Sequence, residues 1–250
     1  MDVDFVEEDS VKNGHTYQVV FRDTAKFHHT GTVFYTIYDS TAGKQIFPEQ
    51  VIEEHIETPV FNGMVLNLHN DPEVKINWNK TGWYPGATNY KTVVDFDPRF
   101  ASEFNPIYNV TIPYPADFEI TFADQIVDTS KSGLGTFKAT PTKFSVWNVS
   151  ENKPADFFFN DDFKDSTLTP DTTENIIIFI PNPEVKYFKI NTTWRITFLS
   201  DTLDEMIPPQ PGDVFRISID KPFRTGDILS FKVKGVTFET NKAKSDLDNI

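Results

Sequence analysis

The 250 residues include no cysteine, which excludes a disulfide framework and a thiol nucleophile and leaves the redox compartment open. Long apolar runs are also missing. The longest, Ile176-Ile177-Ile178-Phe179-Ile180, falls far short of the ~20 residues a spanning helix needs and reads as a buried strand. Basic residues are few: 23 Lys and Arg stand against 37 Asp and Glu, for a formal charge of −14 at pH 7. Nucleic-acid binding needs clustered cations, and so does adsorption to an anionic bilayer. Neither nucleic acid nor membrane insertion is therefore expected. Met1-Asp2-Val3-Asp4 lacks the basic and apolar regions of a signal peptide, which leaves either a cytosolic protein or a piece of a longer one.

Histidine is sparse and confined to His15, His28, His29, His55 and His69. His28 and His29 are adjacent, so on a strand they would point to opposite faces and could not chelate one ion. No Gly-x-Ser-x-Gly nucleophile elbow occurs. Lys131-Ser132-Gly133-Leu134-Gly135-Thr136 holds a Gly-x-Gly but lacks the third glycine and the lysine of a phosphate cradle, so it reads as a flexible hairpin loop. Helical periodicity is nearly absent; the one candidate helix is Phe47 to Ile56, with Pro48 suited to a first turn.

What is present is period-two alternation, with 38% hydrophobic residues and 24 Phe to build a core. Tyr17, Val19 and Phe21 share one face, as do Val33, Tyr35 and Ile37, and Met64, Leu66 and Leu68. Further along come Phe118, Ile120 and Phe122, then Trp194, Ile196 and Phe198. Two more strands follow one repeated phrase: Gly212-Asp213 precedes Phe215, Ile217 and Ile219, and Gly226-Asp227 precedes Leu229, Phe231 and Val233. Gly admits unusual backbone angles and Asp bonds nearby amides, so each pair reads as turn punctuation, with an acidic metal pair as the alternative. Strands between turns predict an all-β chain of antiparallel β-sandwiches, immunoglobulin- or fibronectin-III-like and two in tandem. Ile112-Pro113-Tyr114-Pro115 marks the expected joint. It separates a first domain at 1–113, with an irregular aromatic insertion at 70–105, from a second at 114–239 and a polar tail at 240–250.

Two stretches invite chemistry. Asn160-Asp161-Asp162-Phe163-Lys164-Asp165-Ser166, an acidic run continuing to Asp171 and Glu174, suggests calcium with Asp161, Asp162 and Asp165 as candidate ligands. No register matches a helix-loop-helix site, so a solvated acidic turn is the competing reading. The stretch 77–90 carries Trp78, Trp83, Tyr84 and Tyr90 among amides. It could stack on and hydrogen-bond a sugar, or fold down as a satellite core beneath a long loop. Sequons at Asn79, Asn109, Asn148 and Asn191 are expected by chance in a chain rich in Asn and Thr.

The phrases "NGHTYQVVF" (13–21), "TPVFNGMVLNLHND" (58–71), "PADFEITFAD" (115–124), "FSVWNVSENKPADFFFND" (144–161) and "PPQPGDVFRISIDKPFRTGDILSFK" (208–232) occur here in this order. Together they resemble a region of large secreted or cell-surface bacterial proteins lying just upstream of a C-terminal, Ig-like sorting domain of type IX secretion. The resemblance implies export to the extracellular space or cell surface, and it supplies no catalytic residues. Three expectations result. The first is a non-catalytic structural or adhesion-type module whose partners are other domains of the same protein or cell-surface components. The second is glycan binding through the aromatic stretch, with calcium as the candidate cofactor. The third is a glycosidase using two carboxylates, which 37 acidic residues leave no way to single out.

Overall fold

The computed structural model describes residues 1–25, 31–84, 88–96, 113–133, 135–170, 173–181, 190–199 and 206–234. His28, His29, Asn109, Asp171 and the tail at 240–250 lie outside them. The first part of the chain forms β1 (Asp2–Phe5), β2 (Thr16–Asp23), β3 (Val33–Asp39), β4 (Lys44–Ile52), β5 (His55–Glu57) and β6 (Met64–His69). Next come β7 (Lys75–Ile76), β8 (Gly82–Tyr84), β9 (Lys91–Phe96), β10 (Phe118–Phe122), β11 (Asp128–Thr129), β12 (Pro141–Thr142) and β13 (Phe144–Asn148). The rest is β14 (Lys153–Pro154), β15 (Asp156–Asn160), β16 (Asn175–Pro181), β17 (Ile190–Leu199), β18 (Val214–Ile217), β19 (Ile219–Asp220) and β20 (Ile228–Lys232). Every pairing among them is antiparallel. The chain is all-β, as the alternation predicts. Among the described residues no helix is long and apolar enough to cross a membrane.

Contacts divide the chain into two units, and the division differs from the expected one at residue 113. The described residues of 1–72 and 222–234 form the first unit, and those of 73–221 the second. Three pairings explain the change. β20 hydrogen-bonds along β2, from Thr16↔Lys232 to Val20↔Ile228, which returns the C-terminal strand to the N-terminal sheet. Of the expected insertion at 70–105, the described residues from 73 onward join the second unit instead, where β8 pairs with β18 and β9 with β17. Nor does the Pro-rich stretch act as a joint. Tyr114 packs on the second unit's core and its hydroxyl donates to Glu151 Oε1 at 2.7 Å.

In the first unit, the four-stranded sheet β20-β2-β3-β4 and the three-stranded sheet β1-β6-β5 share one core. Tyr17, Val19, Phe21, Tyr35 and Ile37 from one sheet meet Met64, Leu66 and Leu68 from the other. The stretch expected to be helical, Phe47 to Ile56, lies instead in β4 and β5. Its Pro48 lacks an N–H, and the register shift between Tyr35↔Gln50 and Ile37↔Phe47 places it in a bulge on an edge strand. That site needs no donor. Tertiary pairing with β3 outweighs a short local preference for helix.

The second unit repeats the plan with the five-stranded sheet β14-β13-β10-β18-β8 and the four-stranded sheet β15-β16-β17-β9. Between them lie Phe118, Ile120, Phe122, Phe144, Phe157, Phe159, Ile178, Ile196, Phe198 and Phe215. Ile176 to Ile180 forms most of β16 and is buried on both faces. The second face packs Phe158, Ile177 and Phe179, with Phe137 of the Gly133–Phe137 bridge against them. The Gly-x-Gly stretch is thus a packed hairpin. A Cβ at Gly133 would come within 2.8 Å of the Phe158 ring, so any side chain there would have to displace that buried ring.

The repeated Gly-Asp phrase marks two equivalent turns. Asp213 N–H donates to Gln210 O and Asp227 N–H to Arg224 O, each at 3.0 Å. Gly212 (φ 94°) and Gly226 (φ 99°) hold the positive-φ corners. Each aspartate then accepts from the first residue of its own turn: Gln210 N at 3.0 Å, Arg224 N at 2.8 Å. The turns dock alike, with Phe122 N–H donating to Asp213 O and Phe21 N–H to Asp227 O. The punctuation reading holds.

Candidate functional site

The acidic stretch folds into a loop between β15 and β16, its shape set by its own carboxylates. Asp161 Oδ1 and Oδ2 accept the backbone N–H groups of Asp165 and Ser166, each at 3.2 Å. Asp165 accepts from Thr167 N at 3.0 Å and from Thr169 Oγ1 at 2.6 Å. Glu174, fully buried, accepts from Phe163 N at 3.0 Å and Thr169 N at 2.8 Å. Lys164 (φ 58°) and Ser166 (φ 65°) take left-handed backbone to make this wrap close.

One ligand atom from each of Asp161, Asp165 and Glu174 lies within 4.8 Å of the others, a spacing that three oxygens around one hard cation could share. Asp161 and Asp165 were expected here. Asp162 is exposed and stands outside the group, and Glu174 takes its place. A consecutive run cannot aim every side chain inward. Glu174 enters from the far side of the loop, beside the first residue of β16, and its burial is not visible in the acidic pattern. Burial pushes its carboxyl above the usual range. The bonds from Phe163 and Thr169 partly offset that, and the nearby Asp165 and Asp161 charges add to it. A cation here would relieve the cost of keeping all three ionised.

The aromatic stretch divides. Trp83 packs against Phe122, Phe198 and Phe215 with ring centroids 5.1–5.5 Å apart, and its Nε1 donates to Tyr90 O at 3.1 Å. Tyr90 packs edge-on against Phe198 at 5.6 Å, and burial raises its phenol's pKa. These two rings belong to the core, as the satellite-core reading expects. Trp78 stays exposed in the turn 77–80, and Tyr84 stays exposed on β8 with its hydroxyl donating to Lys80 O at 3.3 Å. Of the sequons, Asn79 is exposed. Asn148 is fully buried and bonded to Glu151 through both its Oδ1 and Nδ2, so its amide is closed to a glycan.

Two further carboxylates, outside every motif, hold turns in the first unit. Asp39 is buried, with Oδ2 2.8 Å from His15 Nδ1 and Oδ1 accepting from Ala42 N at 2.9 Å. Burial opposes its ionisation, but the Ala42 and His15 bonds outweigh that and hold it below the usual range. Asp23 behaves likewise: burial raises it, and the bonds from Thr225 Oγ1 and N, with Arg224, bring it down. Compared with family models, curated proteins and solved structures, the chain matches none.

Proposed function

We propose that the chain is a non-catalytic structural module, adhesive in type, of an exported cell-surface protein. One observation carries this reading: seven carboxylates, including the three that cluster in the acidic loop, are committed to fastening backbone. Asp23, Asp39, Asp161, Asp165, Glu174, Asp213 and Asp227 each accept at least one main-chain N–H, most within their own turn. A general acid or nucleophile must be free to approach a substrate. A carboxylate bonded to amides is instead suited to holding a loop in one shape. Two aromatic-rich sandwich cores and an acidic surface fit a module that persists outside the cell, and the sequence phrases quoted above supply the link to export. The immunoglobulin- or fibronectin-III-like type and the tandem arrangement are part of this proposal.

Protease shaving of intact source cells, followed by mass spectrometry, tests the assignment. Peptides of this chain released before lysis are expected; recovery only from the lysed interior would overturn it. The Asp161, Asp165 and Glu174 cluster favours an additional reading in which calcium braces the 160–174 loop. Millimolar calcium is then expected to raise the melting temperature of chelator-treated protein, and Asp165→Asn to abolish the rise. An unchanged melting temperature would remove the cation.

A further inference from the structure

The outward face of the five-stranded sheet presents a pattern that neither the turns nor the core requires. The register of β13, β10, β18 and β8 sets Trp147, Glu119, Arg216 and Gly82 in one row, with Thr121 and Tyr84 in the next. The residues alternating with them, such as Ile120, Val146 and Phe215, are buried, so this row points away from the core. Trp147 is 39% exposed and Tyr84 41%. Between them, Arg216 Nε donates to Glu119 Oε1 at 2.9 Å while its guanidinium sits 5.3 Å from the centre of the Tyr84 ring.

An equivalent position in the first unit repeats the feature. Tyr38 lies opposite Gln18 in β2, as Trp147 lies opposite Glu119 in β10, and it is 37% exposed. Two sheets built to one register thus each present an aromatic ring outward beside a planar polar side chain.

We infer that this face of the second unit binds a neutral, extended polysaccharide, with Trp147 and Tyr84 stacking on sugar rings and Glu119 and Arg216 bonding the hydroxyls between. The inference names a ligand for the adhesive reading above and rests on it. The chemistry selects the ligand. An indole or phenol ring offers a flat apolar surface to the C–H face of a pyranose, and it loses little rotamer freedom on binding. Glu119 and Arg216 neutralise each other, so in a chain of charge −14 the face complements an uncharged ligand and an anionic glycan would be repelled. Trp147 and Tyr84 are three strand spacings apart at ~4.8 Å each and two residues apart along the strands at ~3.4 Å each, roughly 16 Å in all, so one sugar cannot touch both and a chain can.

The test is affinity electrophoresis of the 250-residue protein through gels containing hydroxyethylcellulose, xylan or laminarin. Retardation by at least one is expected, weakened at least tenfold by Trp147→Ala and several-fold by Tyr84→Ala. Trp147→Tyr should keep most of the binding, which separates loss of the ring from loss of the fold, and the melting temperatures should agree within a few degrees. No retardation in any gel, or full binding by Trp147→Ala, would overturn the inference. So would a concentration-dependent dimer that Trp147→Ala dissolves, since the face would then belong to a second copy. Absence of binding by a protein shaved from the cell surface removes this inference alone; an interior location removes the reading beneath it.

Discussion

The sheets β20-β2-β3 and β18-β10-β13 are one design executed twice with different side chains. Tyr17↔Asp39, Val19↔Ile37 and Phe21↔Tyr35 in the first unit match Phe118↔Asn148, Ile120↔Val146 and Phe122↔Phe144 in the second. The other edge agrees, with Leu229 and Phe231 standing where Phe215 and Ile217 stand. Smaller bonds recur: Ser40 N–H to Thr16 O matches Val149 N–H to Asp117 O, and Thr16 N–H to Thr41 Oγ1 matches Asp117 N–H to Ser150 Oγ. What differs is the charge at the corners. Asp39 meets His15, where Asn148 meets Glu151. The backbone plan tolerates these exchanges because each corner needs only an acceptor for the N–H three residues on, and Asp and Asn both supply one. The same strand register can therefore recur in two sheets while residue identities differ at almost every position.

The strongest way to break the comparison is through the paired phenylalanines. Phe21 stacks on Phe223 with centroids 3.8 Å apart, and Phe122 packs against Trp83, Phe144 and Phe198. Phe21→Ala and Phe122→Ala should each cost about 3–5 kcal/mol. Hydrogen exchange should accelerate across β2, β3 and β20 in the first variant and across β10, β13 and β18 in the second. Acceleration of both sheets by either change would mean that the units do not unfold separately.

The Gly-Asp turns come next. Asp213→Ala and Asp227→Ala each leave a turn N–H without its acceptor, for about 1–2 kcal/mol. Asp→Asn keeps an acceptor and should recover most of that in a denaturant melt. Asp213 also accepts from Thr88 Oγ1 at 2.6 Å, so its loss should be the larger of the two.

Acid should separate the units between neutrality and the usual carboxylate range; below that range both weaken, since Glu151 of the second unit is also held low, its burial outweighed by the bonds from Lys153 and Tyr114. The carboxyl of Glu174 is raised by burial, so its ionised form weakens the second unit most above that raised value, and acidification from neutrality toward the usual carboxylate range strengthens it. Asp39 and Asp23 are held low, so their stabilisation of the first unit is complete above the usual Asp value of about 3.9 and is lost as pH falls below it. Hydrogen exchange of chelator-treated protein at pH 7, 5 and 3 checks both. A second unit that loosens between pH 7 and 5 would contradict the buried Glu174. The smallest effect belongs to Arg216→Ser, which puts in place the residue found at the equivalent Ser230. An exposed ion pair contributes about 0–1 kcal/mol, so the melting temperature should move little and should lose some of its dependence on salt.

Much of this was legible in the residues, and the misses have definite causes. Tyr17-Val19-Phe21 and Phe118-Ile120-Phe122 declare strands because a strand's side chains alternate whatever it pairs with. Gly212 and Gly226 declare corners because positive φ is a local requirement. The acidic stretch was recognised, but Glu174 replaced Asp162 because which carboxylate turns inward depends on how the loop closes. Trp83 and Tyr90 read either as a sugar-stacking surface or as a satellite core beneath a loop, and the pairing of β8 with β18 places them against the core. Trp147 carried no motif. Its exposure follows from its parity on β13 and from the position of that strand in the sheet.

Composition and alternation alone determined that this chain is built of antiparallel strands with aromatic cores and Gly-Asp corners, since those properties depend on a residue and its near neighbours. Tertiary structure alone decided that Ile228 to Lys232 returns to Thr16 through Val20, that the described residues of 73–221 form a unit of their own, and which carboxylates and rings meet. Strand partners are chosen by the complementarity of faces far apart in the chain, and a period of two is the same for every partner.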